Sequence, residues 1–87
     1  MTHIETMQKY IELKNQLLAK AHEAKDFYSV LNEDDVNLRK FFKTANKAYC
    51  EAAAIVVNAE MELLRTMPDA ELEEAHNTGL LKDWIEN

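Results

Sequence analysis

The stretch Leu31-Asn32-Glu33-Asp34-Asp35-Val36-Asn37-Leu38-Arg39-Lys40-Phe41-Phe42-Lys43-Thr44 divides the chain into two long halves, each with a helical apolar period. Asn32 suits the αL end of one helix or the N-cap of the next. Glu33, Asp34 and Asp35 are then expected in the first turn of a second helix, where the macrodipole favours negative charge. Arg39, Lys40, Lys43 and Lys47 follow at one- to four-residue steps and share one broad helix face.

Before this break, Thr2 and Glu5 form a capping-box pattern. Ile4, Met7, Tyr10, Ile11, Leu17, Leu18, Ala21, Ala24, Tyr28 and Leu31 then recur at mostly three- and four-residue steps, which predicts one helix over 2–31. Lys14 interrupts the stripe. Either its stem snorkels past the core edge or its amine faces a ligand.

After the break, Leu38, Phe41, Phe42, Ala45, Ala48, Tyr49, Ala52, Ile55, Val56, Ala59 and Leu63 form the second stripe. Ala45, Ala52 and Ala59 fall at seven-residue intervals and are expected to form the packing seam, flanked by Phe42, Tyr49, Val56 and Leu63. Pro68 ends this helix near Met67, a short helix is expected over 69–76, and Gly79 fits its C-cap. Residues 80–85 can add a last turn, with Leu80 and Trp84 folding back onto the hairpin. One glycine and one proline in the chain argue against tight-turned sheets. The expected fold is all-α: one domain over 1–87, an antiparallel long-helix hairpin (2–67) with a short C-terminal helical tail (68–87).

Helices of roughly 28 and 33 residues reach about 42 and 50 Å at ~1.5 Å per residue. A lone hairpin covers one face of each, and the second helix is apolar on more than one. That surplus predicts a homo-oligomer.

The net charge of −6 arises entirely in residues 60–87, where eight acids face Arg65 and Lys82. Residues 1–59 carry eight acids and eight bases and cancel. Long-range repulsion therefore opposes binding to duplex nucleic acid or to an anionic membrane, and no apolar run is long enough to span a bilayer. Cys50 is the one cysteine, so no internal disulfide forms, and a reducing, cytoplasmic setting is expected. The N-terminal residues lack the basic and apolar regions of a signal peptide.

Catalysis finds little footing. Cys50 lies among alanines with no histidine near it in sequence and reads as a small buried or semi-buried hydrophobe. Glu73 and His76 have the Glu-x-x-His spacing of di-iron bundles, but such sites need a second pair and further carboxylates. His22 and Asp26, four apart, read as a surface pair, so no metal and no cofactor are expected. The basic cluster is the stronger candidate, as a phosphate site. In a hairpin turning near residue 33, Lys25 comes opposite residue 41 and Lys20 opposite residue 46, joining the cluster at one end. The plain alternative is pairing of these cations with Glu23, Asp26, Glu33, Asp34 and Asp35.

The segment Asp35–Thr44 resembles part of the helical-hairpin sponges with which bacteriophages sequester the cyclic oligonucleotide signals of CBASS immunity. The resemblance covers about 35 residues, the turn and the start of the second helix, and ends before Pro68. It lies in a polar acidic turn followed by a Lys-Thr pair, here Lys43-Thr44. The resemblance implies a non-enzymatic, nucleotide-binding phage protein of viral immune evasion. It also implies a homo-oligomer, a hexamer in the family, that inhibits CBASS by binding cyclic di- and trinucleotides. Family members use a tyrosine early in helix one and a lysine late in it; Tyr10 and Lys25 stand in comparable places. Val36 and Asn37 occupy positions where the family often has arginine, and Phe42 replaces a small residue. Arg39 is left as the substitute arginine beside Lys43 and Thr44 at a second phosphate position. Tyr10 and Lys25 are about 22 Å apart along one helix at ~1.5 Å per residue, so one cyclic dinucleotide must take them from neighbouring subunits. Tyr10 would stack on a base, and Lys25, helped by Lys20, would meet phosphate.

A second reading is a small helical interaction module, an inhibitor or adaptor of a host protein. It would dock through the acidic segment after Glu60 with Trp84 as anchor.

Overall fold

A computed structural model describes residues 2–82. It is all-helical over those residues: α1 (His3–Val30), α2 (Val36–Thr66) and α3 (Asp69–Asn77). α1 and α2 form the expected antiparallel hairpin, in a body measuring 56 × 20 × 18 Å.

Helix ends follow local chemistry. The Thr2 hydroxyl accepts a hydrogen bond from the Glu5 N–H at 3.1 Å and caps α1. The turn departs from expectation, because α2 begins at Val36 with Asp35 as N-cap and no acid in its first turn. Asn32 is neither an αL residue nor the cap. Its carbonyl instead accepts from the Asp35 N–H at 3.0 Å, closing the turn. α3 ends as its sequence predicts. Gly79 has φ +78°, its N–H donates to the His76 carbonyl, and the Leu80 N–H donates to the Ala75 carbonyl, together a Schellman motif.

The seam also differs from the alanine seam read from the sequence. On α2 and its C-cap the α1-facing residues are Arg39, Phe42, Asn46, Tyr49, Ala53, Val56, Glu60, Leu63 and, at the cap, Met67, all buried or half-buried, at alternating three- and four-residue steps. On α1 the matching set is Met7, Tyr10, Lys14, Leu17, Ala21, Ala24 and Tyr28. This is the 3.5-residue period of a coiled-coil seam. It runs one residue C-terminal to Ala45, Ala52 and Ala59, which are half-buried beside it. Leu18, Leu38, Phe41 and Ile55, expected in the stripes, lie exposed on the outer faces.

Polar residues occupy seam positions. Lys14 Nζ meets Glu60 Oε2 at 3.1 Å, with side chains 13% and 0% exposed. Asn46 Nδ2 donates to the Ala21 carbonyl at 2.6 Å. Lys14 therefore follows neither sequence reading, because its amine turns inward onto the second helix.

The apolar core sits at the end away from the turn. Met7, Met67, Ala75 and Leu81 form it, with Ile4, Ile11, Leu63, Leu64, Leu72 and Leu80 packed around them. α3 thus completes the core rather than trailing from it, and His3 Nδ1 lies 2.7 Å from Glu71 Oε2 across the α1–α3 junction. Trp84 and Ile85 lie outside the described residues. Cys50 is exposed, contrary to the buried position expected, because its place on α2 faces away from the seam.

Removing one member of a buried ion pair leaves an uncompensated charge at a cost of about 3–5 kcal/mol. Since Lys14 keeps some exposure, Glu60→Ala is expected to lower unfolding free energy by about 3 kcal/mol in urea melts followed by circular dichroism. The double variant Lys14→Met/Glu60→Leu should recover most of that loss. Equal destabilisation in the two proteins would show that the pair does not set the cost.

Candidate functional site

The turn half of the hairpin is built differently from the core half. Its seam closes over aromatic rings: Phe27 stacks on Phe42 at 5.2 Å between centroids with a 23° interplanar angle, and Phe41 meets Phe42 edge-on at 5.2 Å. Phe41 is 62% exposed and Phe27 48%, so this cluster is only partly covered.

Three open clefts surround these rings. One, of about 250 Å³, is lined by Lys25, Tyr28, Phe42, Lys43 and Asn46. A second, of about 170 Å³, lies past Phe42, between Lys20, Glu23 and Ala24 of α1 and Phe41, Ala45 and Tyr49 of α2. The third, of about 410 Å³, runs along the outer face of α2 between Asn37, Lys40, Phe41, Thr44, Ala45 and Ala48.

The hairpin therefore brings Lys25 and Lys43 together, from two helices, in one aromatic-lined cleft. It separates the adjacent pair Lys43 and Thr44, because consecutive residues point about 100° apart on a helix of 3.6 residues per turn. Thr44 faces the outer cleft with Lys40. Lys20 faces the middle cleft, with its amine 3.7 Å from Glu23. Tyr10 lines none of the three clefts.

Arg39 is committed within the hairpin. Its guanidinium lies over the Tyr28 ring, 4.6 Å from the centroid. Nη2 donates to the Tyr28 hydroxyl at 3.1 Å and Nη1 to the Leu31 carbonyl at 3.2 Å. The Leu31 carbonyl belongs to the α1 C-cap, where an unpaired acceptor needs a partner. Arg39 thus ties the start of α2 to the end of α1 and holds the Tyr28 ring from one side.

The plain reading of the basic cluster, in which each cation pairs with a neighbouring acid, holds only in part. Lys20–Glu23 and His22–Asp26 are close, the latter at 3.9 Å on an exposed surface. Among the described residues, no carboxylate lies within ion-pair distance of Lys25, Lys40, Lys43 or Lys47. These four cations lie exposed on the turn half of an acidic protein, where Glu33 and Asp34 are exposed as well. The same residues include no group of three or more histidine, cysteine or acidic side chains placed to hold a metal ion. No helix among them is long and apolar enough to cross a membrane.

Sequence reasoning missed Tyr28 and Phe42 as cleft-lining residues. It treated both as core, and only the seam register shows that Phe42 divides two clefts while Tyr28 backs onto Arg39.

A cation–π contact contributes about 0.5–2 kcal/mol and a hydrogen bond from a charged donor about 1.5–3 kcal/mol. Arg39→Met keeps the stem but loses the ring contact and both hydrogen bonds, and is expected to cost about 3 kcal/mol of unfolding free energy in urea melts. Tyr28→Phe keeps the ring and the Arg39–Leu31 hydrogen bond and should cost clearly less. Equal losses would mean that neither of those two contributes.

Compared with family models, curated proteins and solved structures, the chain gives no significant match.

Proposed function

We propose that this is a non-enzymatic phage anti-defence protein that binds cyclic di- and trinucleotide signals in the host cytoplasm and withholds them from CBASS effectors. The observation that carries this reading is the convergence of Lys25 and Lys43, unpaired by any described carboxylate, in one cleft walled by Tyr28 and Phe42. Phosphates need cations with no competing internal partner, and bases need exposed rings to stack on. The turn half offers both within a few residues. Sequestration needs affinity and no turnover, so it asks nothing more of the site.

Assembly belongs to the same proposal. Phe41 at 62% and Ile55 at 69% exposure, with Val36 and Leu38, leave apolar surface on α2 that the hairpin itself does not cover. Packing of neighbouring copies would cover it, and would bring Tyr10 of one subunit toward Lys25 of another. Thr44 and Lys40, in the 410 Å³ outer cleft, supply a second position suited to a larger ring.

The second reading, a helical module that docks on a host protein, is favoured by the same exposed Phe27 and Phe41. Calorimetry with cyclic di- and trinucleotides at physiological salt separates the two. Charge-assisted hydrogen bonds contribute about 1.5–3 kcal/mol, so Lys25→Ala and Lys43→Ala should each weaken capture roughly tenfold or more without loss of helix by circular dichroism. Tyr10→Ala should weaken the dinucleotide in an assembled protein. Absence of heat above background for every cyclic nucleotide would end the sequestration reading and leave the docking module. A monomer in sedimentation at micromolar concentration would remove the shared-subunit role of Tyr10.

A further inference from the structure

Five residues of one hairpin, Lys25, Tyr28, Phe42, Lys43 and Asn46, suffice to line the cleft between Lys25 and Lys43. Lys25 and Tyr28 sit one turn apart on α1, while Phe42, Lys43 and Asn46 face them from α2. The two helices are held in this register by the Asn46–Ala21 hydrogen bond on one side of the cleft and, at the turn, by Arg39 bonding to Leu31. The rings are fixed as well. Phe42 stacks on Phe27, and Tyr28 carries the Arg39 guanidinium over its face and on its hydroxyl. Tyr28 contributes to the cleft the surface that Arg39 leaves uncovered.

Size narrows the ligand. The cleft holds about 250 Å³, below the ~300–1,000 Å³ of pockets that enclose whole drug-sized ligands. It therefore suits one ring and its attached anion rather than a complete cyclic dinucleotide. The lining is mostly apolar, with two aromatic residues and with two lysines as its charged members. A bare inorganic anion would use the lysines and leave the rings idle; an uncharged aromatic ring would do the reverse.

We infer that each hairpin carries, by itself, a subsite for one nucleotide unit, with the phosphate between Lys25 and Lys43 and the base against Tyr28 and Phe42. This rests on the phosphorylated-ligand reading above and deepens it. A cyclic oligonucleotide is then gripped one nucleotide per chain, and the same chain's Tyr10, about 27 Å from Tyr28 along α1 at ~1.5 Å per residue, lies out of reach, so a tyrosine at that position could join only from a neighbouring copy.

The test is a solution NMR titration of the full chain with adenosine and guanosine 5′-monophosphates, adenosine, inorganic phosphate and a cyclic dinucleotide. The monophosphates should shift the ring resonances of Tyr28 and Phe42 and saturate at one per chain. Adenosine and phosphate should each bind at least tenfold more weakly. Stacking losses run from roughly fivefold to over a hundredfold per base, so Tyr28→Leu should weaken the monophosphates about tenfold or more, as should Lys25→Ala and Lys43→Ala. Lys9→Ala, at an exposed lysine of α1 that lines none of the three clefts, should leave them unchanged. Should the Leu variant misfold, Tyr28→Phe, which keeps the ring, is expected to retain binding. Phosphate binding as tightly as a monophosphate, or shifts confined to other residues, would overturn the subsite. Capture of the cyclic dinucleotide by a protein that ignores monophosphates would sink the single-chain subsite and spare sequestration. Monophosphate binding without cyclic dinucleotide capture would do the opposite.

Discussion

Lys14 and Glu60 are withdrawn from water together, 3.1 Å apart in the seam between α1 and α2, and the register of the hairpin depends on their staying matched. A hydrophobic seam with a 3.5-residue repeat tolerates a slip of one heptad, because apolar contacts carry no direction. A buried ion pair does not tolerate it, since a slip would strand both charges. Asn46 on the Ala21 carbonyl adds a second fixed point. With α1 and α2 locked in this alignment, Lys25 faces Lys43 and Phe27 faces Phe42; a heptad slip of about 10 Å at ~1.5 Å per residue would part both pairs.

The two ends of the hairpin follow from where a third layer is present. At the base, α3 lies over Met7 and Met67 and closes a small apolar core. Toward the turn nothing in the chain's described residues covers the outer faces, so Phe41 and Ile55 remain exposed. Two helices packed along one seam can bury one stripe each and no more. The turn half therefore keeps open clefts and apolar surface, and its unpaired lysines border that surface.

The helices were legible because their signals are local. Thr2 with Glu5, Pro68 and Gly79 act within a few residues of themselves, and helix limits fall within one residue of expectation at all but the start of α2. That start was missed because three consecutive acids read as first-turn residues, whereas the chain spends them on the turn and leaves Asp35 as cap. The seam was misplaced by one residue for a different reason. Hydrophobicity favoured Ala45, Ala52 and Ala59, while the true seam line at Asn46, Ala53 and Glu60 is polar at two of three positions, and its partners Lys14 and Ala21 lie on the other helix. A long-range pairing of that kind leaves no trace in a one-helix periodicity. The same limit applied to the candidate site: Lys25 and Lys43 could be placed at one end of the molecule, but their common cleft, and the separation of Thr44 from it, depend on the side of α2 that faces α1.

The cations of the turn half divide by chemistry. Arg39 is weakly hydrated and carries a fork of five N–H donors, so its guanidinium sits over the Tyr28 ring and still directs separate N–H groups to the tyrosine hydroxyl and the Leu31 carbonyl. A compact ammonium in its place would lack that fork. The lysines are compact, strongly hydrated charges on flexible stems, poor at that structural task and suited to following an anion whose position is not fixed in advance. Holding the end of α1 with the guanidinium leaves Lys25 and Lys43 available, and it steadies the ring beside them. In the proposed subsite the aromatic floor is already held, so the ordering cost of binding a nucleotide would fall mainly on two lysine side chains.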